Sequence, residues 1–266
     1  MPNTLPYIPE SLKNLKNPPK RLFYKGRTKL LDNLKVAIVG TRYPNQYTKI
    51  IMQSFVPKIS KYSTIVSGGA IGIDYIAHNM SYPNTIMISP SSLDITYPKQ
   101  NKTLINDIAN NALILSEYES NYNPHRFSFL ERNRLIIALS EIIFIPQGDL
   151  NSGTSVSAKI ALELKKPIFT IPHRYNESTL TNYLLSQNNA RAIFNIDNFI
   201  KDHILNDVSN KNNIKLVDSN FIDILEFCAT NPSFEDAYNK FGERIIECEL
   251  LGLITRKYNK IYPEHT

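Results

Sequence analysis

The reading of this chain turns on Ser63-Thr64-Ile65-Val66-Ser67-Gly68-Gly69-Ala70-Ile71-Gly72-Ile73-Asp74-Tyr75-Ile76-Ala77-His78. Thr64 to Val66 is a short run suited to a buried strand, and Gly68, Gly69 and Gly72 follow within five residues. Ile73, Ile76 and Ala77 then recur at helical spacing. The pattern is strand, tight turn, helix. Glycine lets the backbone turn sharply and lets another group approach closely. A helix start aims unpaired N–H groups and the positive end of its dipole at whatever lies before it, which suits an anion. This corner is expected to bind phosphate.

Outward from that corner, the same alternation repeats. Lys35 to Val39 is a continuous, mostly β-branched run ending in Gly40-Thr41-Arg42, and Gln46 to Tyr62 is helical, with Ile50, Ile51, Phe55 and Ile59 expected inward. Asn84 to Ile88, Ala112 to Ser116, Glu141 to Ile145 and Pro167 to Ile171 read as further strands, with a last short one at Ile193-Phe194. Helices are expected over Lys99 to Asn110, Leu130 to Leu139, Ser155 to Leu164 and Thr179 to Gln187. Strands alternating with helices specify an α/β fold with a parallel sheet and helices on both faces. Ligands of such sheets sit beyond the carboxyl ends of the strands. Here those ends carry the loops Gly40–Arg42, Ser67–Gly72, Ser89–Pro98, Glu117–Ser128 and Pro146–Gly153.

The expected domains are an N-terminal arm and lead-in (1–34), the α/β domain (35–208), a polar linker (209–220) and a small helical unit with a hairpin (221–266). In the last, Ile222, Leu225 and Phe227 are expected inward, Pro232-Ser233 opens a second helix, and Ile245-Ile246 and Leu250-Leu251 pack a third that ends at Gly252. The formal net charge of the 266 residues is +6. Residues 221–266 hold five Lys or Arg against eight Asp or Glu, net −3, which leaves +9 on residues 1–220. An anionic ligand is therefore expected in the first part. The two cysteines, Cys228 and Cys248, fit no metal spacing and read as buried small hydrophobes. No apolar run approaches membrane length, and the composition suits a soluble cytoplasmic protein.

No Walker A motif occurs, and no Gly-x-Gly-x-x-Gly follows the first strand, so nucleotide hydrolysis and dinucleotide redox chemistry are poorly supported. Arg126-Phe127-Ser128-Phe129-Leu130-Glu131-Arg132-Asn133-Arg134 gathers three arginines at or just before an expected helix start. Cations there oppose the helix dipole by about 0.3–1 kcal/mol each, and a bound polyanion would reverse that sign. Interleaved phenylalanines suit stacked bases, although core packing and pairing with Glu117, Glu119 or Glu131 is the alternative. Arg42 should point into the same crevice. Ser152-Gly153-Thr154 opens a helix able to hold a phosphate. Asp74 and His78, at i and i+4, read as a helix cap and its partner rather than a catalytic pair.

Together these pieces resemble the DprA/Smf family of DNA-processing proteins, from about Pro18 to Tyr262. The resemblance is carried by Val36-Ala37-Ile38-Val39-Gly40-Thr41-Arg42, Ser67-Gly68-Gly69-Ala70-x-Gly72-Ile73-Asp74-x-x-Ala77-His78, Ser116-Glu117-Tyr118, Phe129-x-x-Arg132-Asn133-Arg134 and Ser152-Gly153-Thr154. It implies an extended Rossmann-like domain with a C-terminal winged-helix-like domain. It also implies binding of single-stranded DNA, a homodimer, and loading of RecA during natural transformation, with no cofactor and no catalytic turnover. The expected nucleic-acid-binding residues are Gly40, Arg42, Gly68, Gly69, Ala70, Arg126, Phe129, Arg132, Asn133, Arg134, Ser152, Gly153 and Thr154. The chain departs from the family pattern in three ways. The first 17 residues are too few for the helical domain with which many members begin. Pro172-His173 stands where Pro-Gly is usual, and Leu180 and Asn189 replace glycines.

Two rival readings are a Rossmann-like nucleotide phosphoribohydrolase and a scaffold that touches no nucleic acid. The first rests on Pro146-Gln147-Gly148 and Ser152-Gly153-Thr154, but Ser157 stands where its catalytic Glu would be.

Overall fold

The β-branched runs form the centre of a nine-stranded sheet. The computed structural model describes residues 2–205, 221, 223–250 and 253–263. In chain order the strands are β1 (Asn3–Thr4), β2 (Phe23–Gly26), β3 (Lys35–Ile38), β4 (Thr64–Ser67), β5 (Thr85–Ile88), β6 (Leu113–Ser116), β7 (Ile142–Phe144), β8 (Ile168–Thr170) and β9 (Arg191–Ala192). Their spatial order is β1-β2-β6-β5-β4-β3-β7-β8-β9. From β6 to β9 every neighbouring pair is parallel, whereas β2 runs antiparallel to both β6 and β1. All residues of β3 to β8 are buried, as strands covered by helices on both faces must be.

Strands β3 to β6 build outward in one direction, and β7 to β9 build outward in the other. The order therefore reverses between β3 and β7, which pair directly through Val36 and Ile142 and through Ile38 and Phe144. The loops leaving two such strands diverge and open a crevice. Helices α2 (Gln46–Ile59) and α3 (Ile73–Ser81) pack on each other, as do α5 (Arg126–Leu139) and α6 (Gly153–Glu163). Leu135 to Leu139, the second half of α5, is completely buried, so this helix is anchored in the core by one end and offers the other to the crevice.

Several sequence expectations need correction. Helix α5 begins at Arg126 and not at Leu130. Ser128 Oγ accepts the N–H of His125, the residue before the helix, which closes half of a capping box and starts the helix four residues earlier than the apolar pattern indicates. In α2 the buried stripe is Thr48, Met52, Val56 and Ile59, while Ile50 is exposed. Two apolar stripes compete on that helix, and the one at i, i+4, i+8 faces the core. The last strand is Arg191–Ala192, and Phe194 points outward.

Residues 1–34 are not a separate arm. They belong to the same compact unit as residues up to Leu205 and supply β1, β2 and the short helix α1 (Glu10–Lys13). Leu12 and Leu22 are each 1% exposed within the main core. Gly26, at φ 96°, lies so close to the Ala112 carbonyl that a Cβ would collide with it. Strand β2 thus ends in a glycine that lets it press against the end of α4 (Lys102–Asn111).

The second unit spans Asn206–Thr266. Its described part has helical residues at 223–228, helices Phe234–Phe241 and Arg244–Leu250, and an antiparallel pair of strands, Ile254–Lys257 and Lys260–Pro263. Tyr258 and Asn259 both take positive φ, as a two-residue hairpin turn requires. Ser233 caps the helix it precedes by accepting the Asp236 N–H. The core holds Phe221, Ile224, Cys228, Ala237, Ile245, Cys248, Ile254 and Ile261. Leu225 and Phe227 pack at its margin, whereas Ile246 and Leu250 face outward, because Ile245 and Cys248 one turn apart define the inner face. The expected linker 209–220, Ile222, Leu251 and Gly252 lie outside the described residues.

Leu12→Ala should lower the stability of the α/β unit by about 2–5 kcal/mol, the cost of deleting a fully buried leucine. A urea melt unchanged by this substitution would return residues 1–34 to the status of an appended arm.

Candidate nucleic-acid interface

At the β3/β7 divergence the loops form a cleft of about 810 Å³. One wall is the end of β3, Val39 to Tyr43; the opposite wall is the end of the β7 loop and the first turn of α6, Leu150 to Ser157. The floor carries Ala70 and Asp74, and the first half of α5 closes the side with Arg126, Phe129, Leu130, Arg132 and Asn133. The glycines make this interlock possible. A Cβ on Gly40 would strike Ile73 and the Gln147 carbonyl, and Thr41 N–H donates to that same carbonyl at 2.9 Å. Gly72, at φ 82°, sits against the backbone of Thr41 and Arg42, so no side chain fits there. The turn after β4 and the turn after β3 therefore hold each other in place, and Ile73 N–H donates to Thr41 O at 3.1 Å.

The three expected arginines do three different things. Arg132 is 4% exposed, and its guanidinium donates to the carbonyls of Gly68, just past the end of β4, and Ile88, the last residue of β5. Burial lowers its pKa to about 10, partly countered by Asp74, so it stays charged at neutral pH. Any Cβ on Gly68 would overlap this guanidinium. Arg134 is held by Glu117 at 2.6 Å, with both side chains largely buried. Arg126 is exposed at the first position of α5, on the cleft wall. The sequence expectation that all three crowd the helix start is thus corrected: Arg132 and Arg134 lie in its middle, and only Arg126 meets the positive dipole end.

Arg42 is exposed, with Cζ 5.9 Å from the centre of the Phe129 ring, and Tyr97 packs against the same ring with centroids 5.4 Å apart. Gly40, Arg42, Ala70, Arg126, Phe129, Arg132, Asn133, Ser152, Gly153 and Thr154 all line the cleft. Gly68 lines a smaller adjoining pocket of about 80 Å³. Gly69 and Arg134 stand outside both linings. Gly69, at φ 77°, is buried against Met87 and serves the turn. Ser152 Oγ donates to Asp149 O, so what this corner offers an anion is the N–H groups of the first turn of α6. Tyr97 escaped the sequence reading; its signal is its place in the Ser-Pro-rich loop after a strand.

Asp74 is buried, which pushes its pKa up, while Arg132 and the N–H groups of Ala70 and Gly68 pull the other way. His78 does not partner it: its Nδ1 pairs with Thr85 Oγ1 at 2.7 Å. Burial, reinforced by Arg132, lowers the His78 pKa to about 3. Among the described residues, no group of three or more His, Cys, Asp or Glu could hold a metal ion, and no helix is long and apolar enough to cross a membrane.

The family profile described as DNA recombination-mediator protein A matches residues 4–203. The chain belongs to this DprA/Smf family. It is 32% identical to the DNA processing protein DprA of Bacillus subtilis over 210 residues, 75% of this chain and 71% of that one. Identity to the DprA of Streptococcus pneumoniae is 35% over 167 residues, 62% of this chain and 59% of that one, and to the Smf protein of Synechocystis 37% over 182 residues, 63% and 44%. The chain thus spans about half the length of these last two relatives. The solved structure of DNA processing protein A from Helicobacter pylori, described for its unique single-stranded DNA binding mode, is 51% identical. It superposes with a TM-score of 0.74 over 75% of this chain and 94% of that one. The pneumococcal DprA structure gives 0.71 at 30% identity, over 76% and 74%.

Within the DprA/Smf frame, the departures noted from the sequence fill space. His173 replaces the usual glycine, and its buried ring contacts the Pro146 carbonyl through Nε2 at 2.7 Å, tying the β8 loop to the β7 loop. Leu180 is 3% exposed and packs on Gly148. Asn188, at φ 56°, supplies the left-handed residue at the end of α7 (Thr179–Ser186), just before Asn189.

Two outcomes follow. Arg134→Ala should destabilise the fold by on the order of 3 kcal/mol, because it strands a largely buried Glu117 carboxylate; a thermal melt reads this. His78, neutral when folded and with an unfolded value of 6.5, binds more protons in the unfolded chain. Its contribution is fully present above pH 6.5 and is lost as the pH falls towards 3, about 2 kcal/mol of it by pH 5. His78→Gln should flatten the acid side of the stability profile between pH 7 and 5; an unaltered slope would mean that the imidazole is solvated.

Proposed function

We propose that the cleft binds single-stranded DNA along its sugar–phosphate backbone, without catalytic turnover. The observation carrying this reading is the convergence of two exposed arginines, Arg42 and Arg126, on a cleft that also holds an aromatic face, Phe129 backed by Tyr97, and the N-terminus of α6. Cations neutralise phosphates, amides at a helix start hydrogen-bond them, and rings accept bases without reading their edges. Binding should be sequence-tolerant and salt-sensitive. The similarity to the Helicobacter pylori protein, known for its single-stranded DNA binding, supports the choice of ligand.

On the family resemblance, the bound strand is DNA taken up in natural transformation; the protein protects it in the cytoplasm and helps load RecA onto it, acting as a homodimer. The C-terminal unit, winged-helix-like in the order of its helices and hairpin, carries net negative charge and fits a protein-contact or dimer-modulating role better than a DNA grip.

Arg42→Ala and Arg126→Ala should each weaken binding of an oligothymidylate and reduce the slope of log K against log salt by about 0.7, one phosphate contact each. Phe129→Ala should lose roughly 1–3 kcal/mol of affinity if a base stacks on it. Wild-type slopes in both arginine variants would remove the cleft from the path of the strand.

A further inference from the structure

Next to the cleft, the loop between β6 and α5 carries an aromatic run that the cleft itself does not use. Tyr118 and Tyr122 stack face to face, with centroids 4.0 Å apart and planes 3° apart. The His125 ring leans on Tyr122 at 5.6 Å and on Phe127 at 6.2 Å, and Tyr122 Oη pairs with His125 Nε2. This is not core packing: His125 is exposed and Phe127 is 63% exposed. The loop is fixed rather than loose, since Ser92 N–H donates to Tyr122 O, Asn121 N–H to Asp94, and Tyr118 Oη to Glu131.

Continuity and charge name the occupant. His125 and Phe127 flank Arg126, which lines the cleft, so a strand leaving past Arg126 meets this surface next. The loop's acids are already engaged, Glu117 by Arg134 and Glu119 by Arg21 at 3.2 Å. Phe23 of β2 pairs with Ser116, so the chain just before β2, with Lys20 exposed, runs beside the same loop. Aromatic faces between basic residues form the pattern of a sequence-tolerant single-strand platform. Parallel stacking of Tyr122 on Tyr118 is also the geometry a nucleobase would continue.

Resting on the cleft reading above, we propose that Tyr118, Tyr122, His125 and Phe127 form a second base-stacking site, which takes nucleotides of the same DNA strand after it passes Arg126. The test compares a short oligothymidylate that fills the cleft alone, about 6 nucleotides, with one of about 20. Phe127→Ala and Tyr122→Ala should each weaken binding of the long strand about tenfold and leave the short one within about twofold, while Tyr122→Trp should keep long-strand affinity. Thermal melts report whether each variant is folded, and Phe127→Ala, at an exposed position, keeps the test decisive if Tyr122→Ala unfolds. Unchanged long-strand affinity, or equal losses on both lengths, would overturn the second site and leave the cleft standing. A wild-type protein that binds neither length would overturn the cleft reading and this extension with it.

Discussion

The buried guanidinium of Arg132 is the constraint on which the site depends. Moving a cation out of water costs several kcal/mol unless its protons find acceptors. Here Nη1 finds the carbonyls of Gly68, just past β4, and of Ile88, the last residue of β5, with the Asp74 carboxyl adding its charge from the first turn of α3. One side chain of α5 thus clamps two strand ends. The clamp works only because Gly68 has no side chain, and it fixes the rotation of α5 about its axis. With that rotation set, Phe129, one turn earlier, faces the cleft, and Arg126 stands at its edge.

The same clamp explains why the arginine-rich segment resisted reading. Arg126, Arg132 and Arg134 are equivalent as letters. Their fates, exposed, buried and ion-paired, follow from where the helix starts and which face meets the strand ends. A start at Leu130 would have left Arg126 ahead of the helix and crowded Arg132 and Arg134 into its first turns; the start at Arg126, set by the His125–Ser128 cap, spreads them over three turns. A cap made by a serine inside a polar loop gives no apolar signal, so periodicity placed the helix late.

The sheet was more legible because burial on both faces writes itself as runs such as Val36 to Val39 and Leu113 to Leu115. What such runs omit is neighbour order. Nothing in the letters of Ile142 to Phe144 says that β7 lies against β3, yet that pairing creates the cleft. Strand β2 was missed for the opposite reason. Phe23 to Gly26 is short, half-buried and holds a lysine, whose Nζ reaches the Leu93 carbonyl at 2.7 Å. The glycine motifs were read correctly as turns. Their task of letting two loops interlock, visible at Gly40 and Gly72, needed the third dimension.

Charge distribution closes the argument. An arginine at the first position of a helix works against the dipole, and acidic residues favour that place. Arg126 occupies it in the unit that carries the chain's positive excess, facing a second helix start, that of α6. Two helix N-termini and two exposed guanidinium groups on one cleft are mutually repulsive while the cleft holds only water. A threaded polyanion turns each of those repulsions into an attraction. The stability given up at Arg126 and the affinity gained for a phosphate chain then have the same electrostatic origin. On the proposed reading, this favours the cleft, rather than the acidic C-terminal unit, as the seat of the strand.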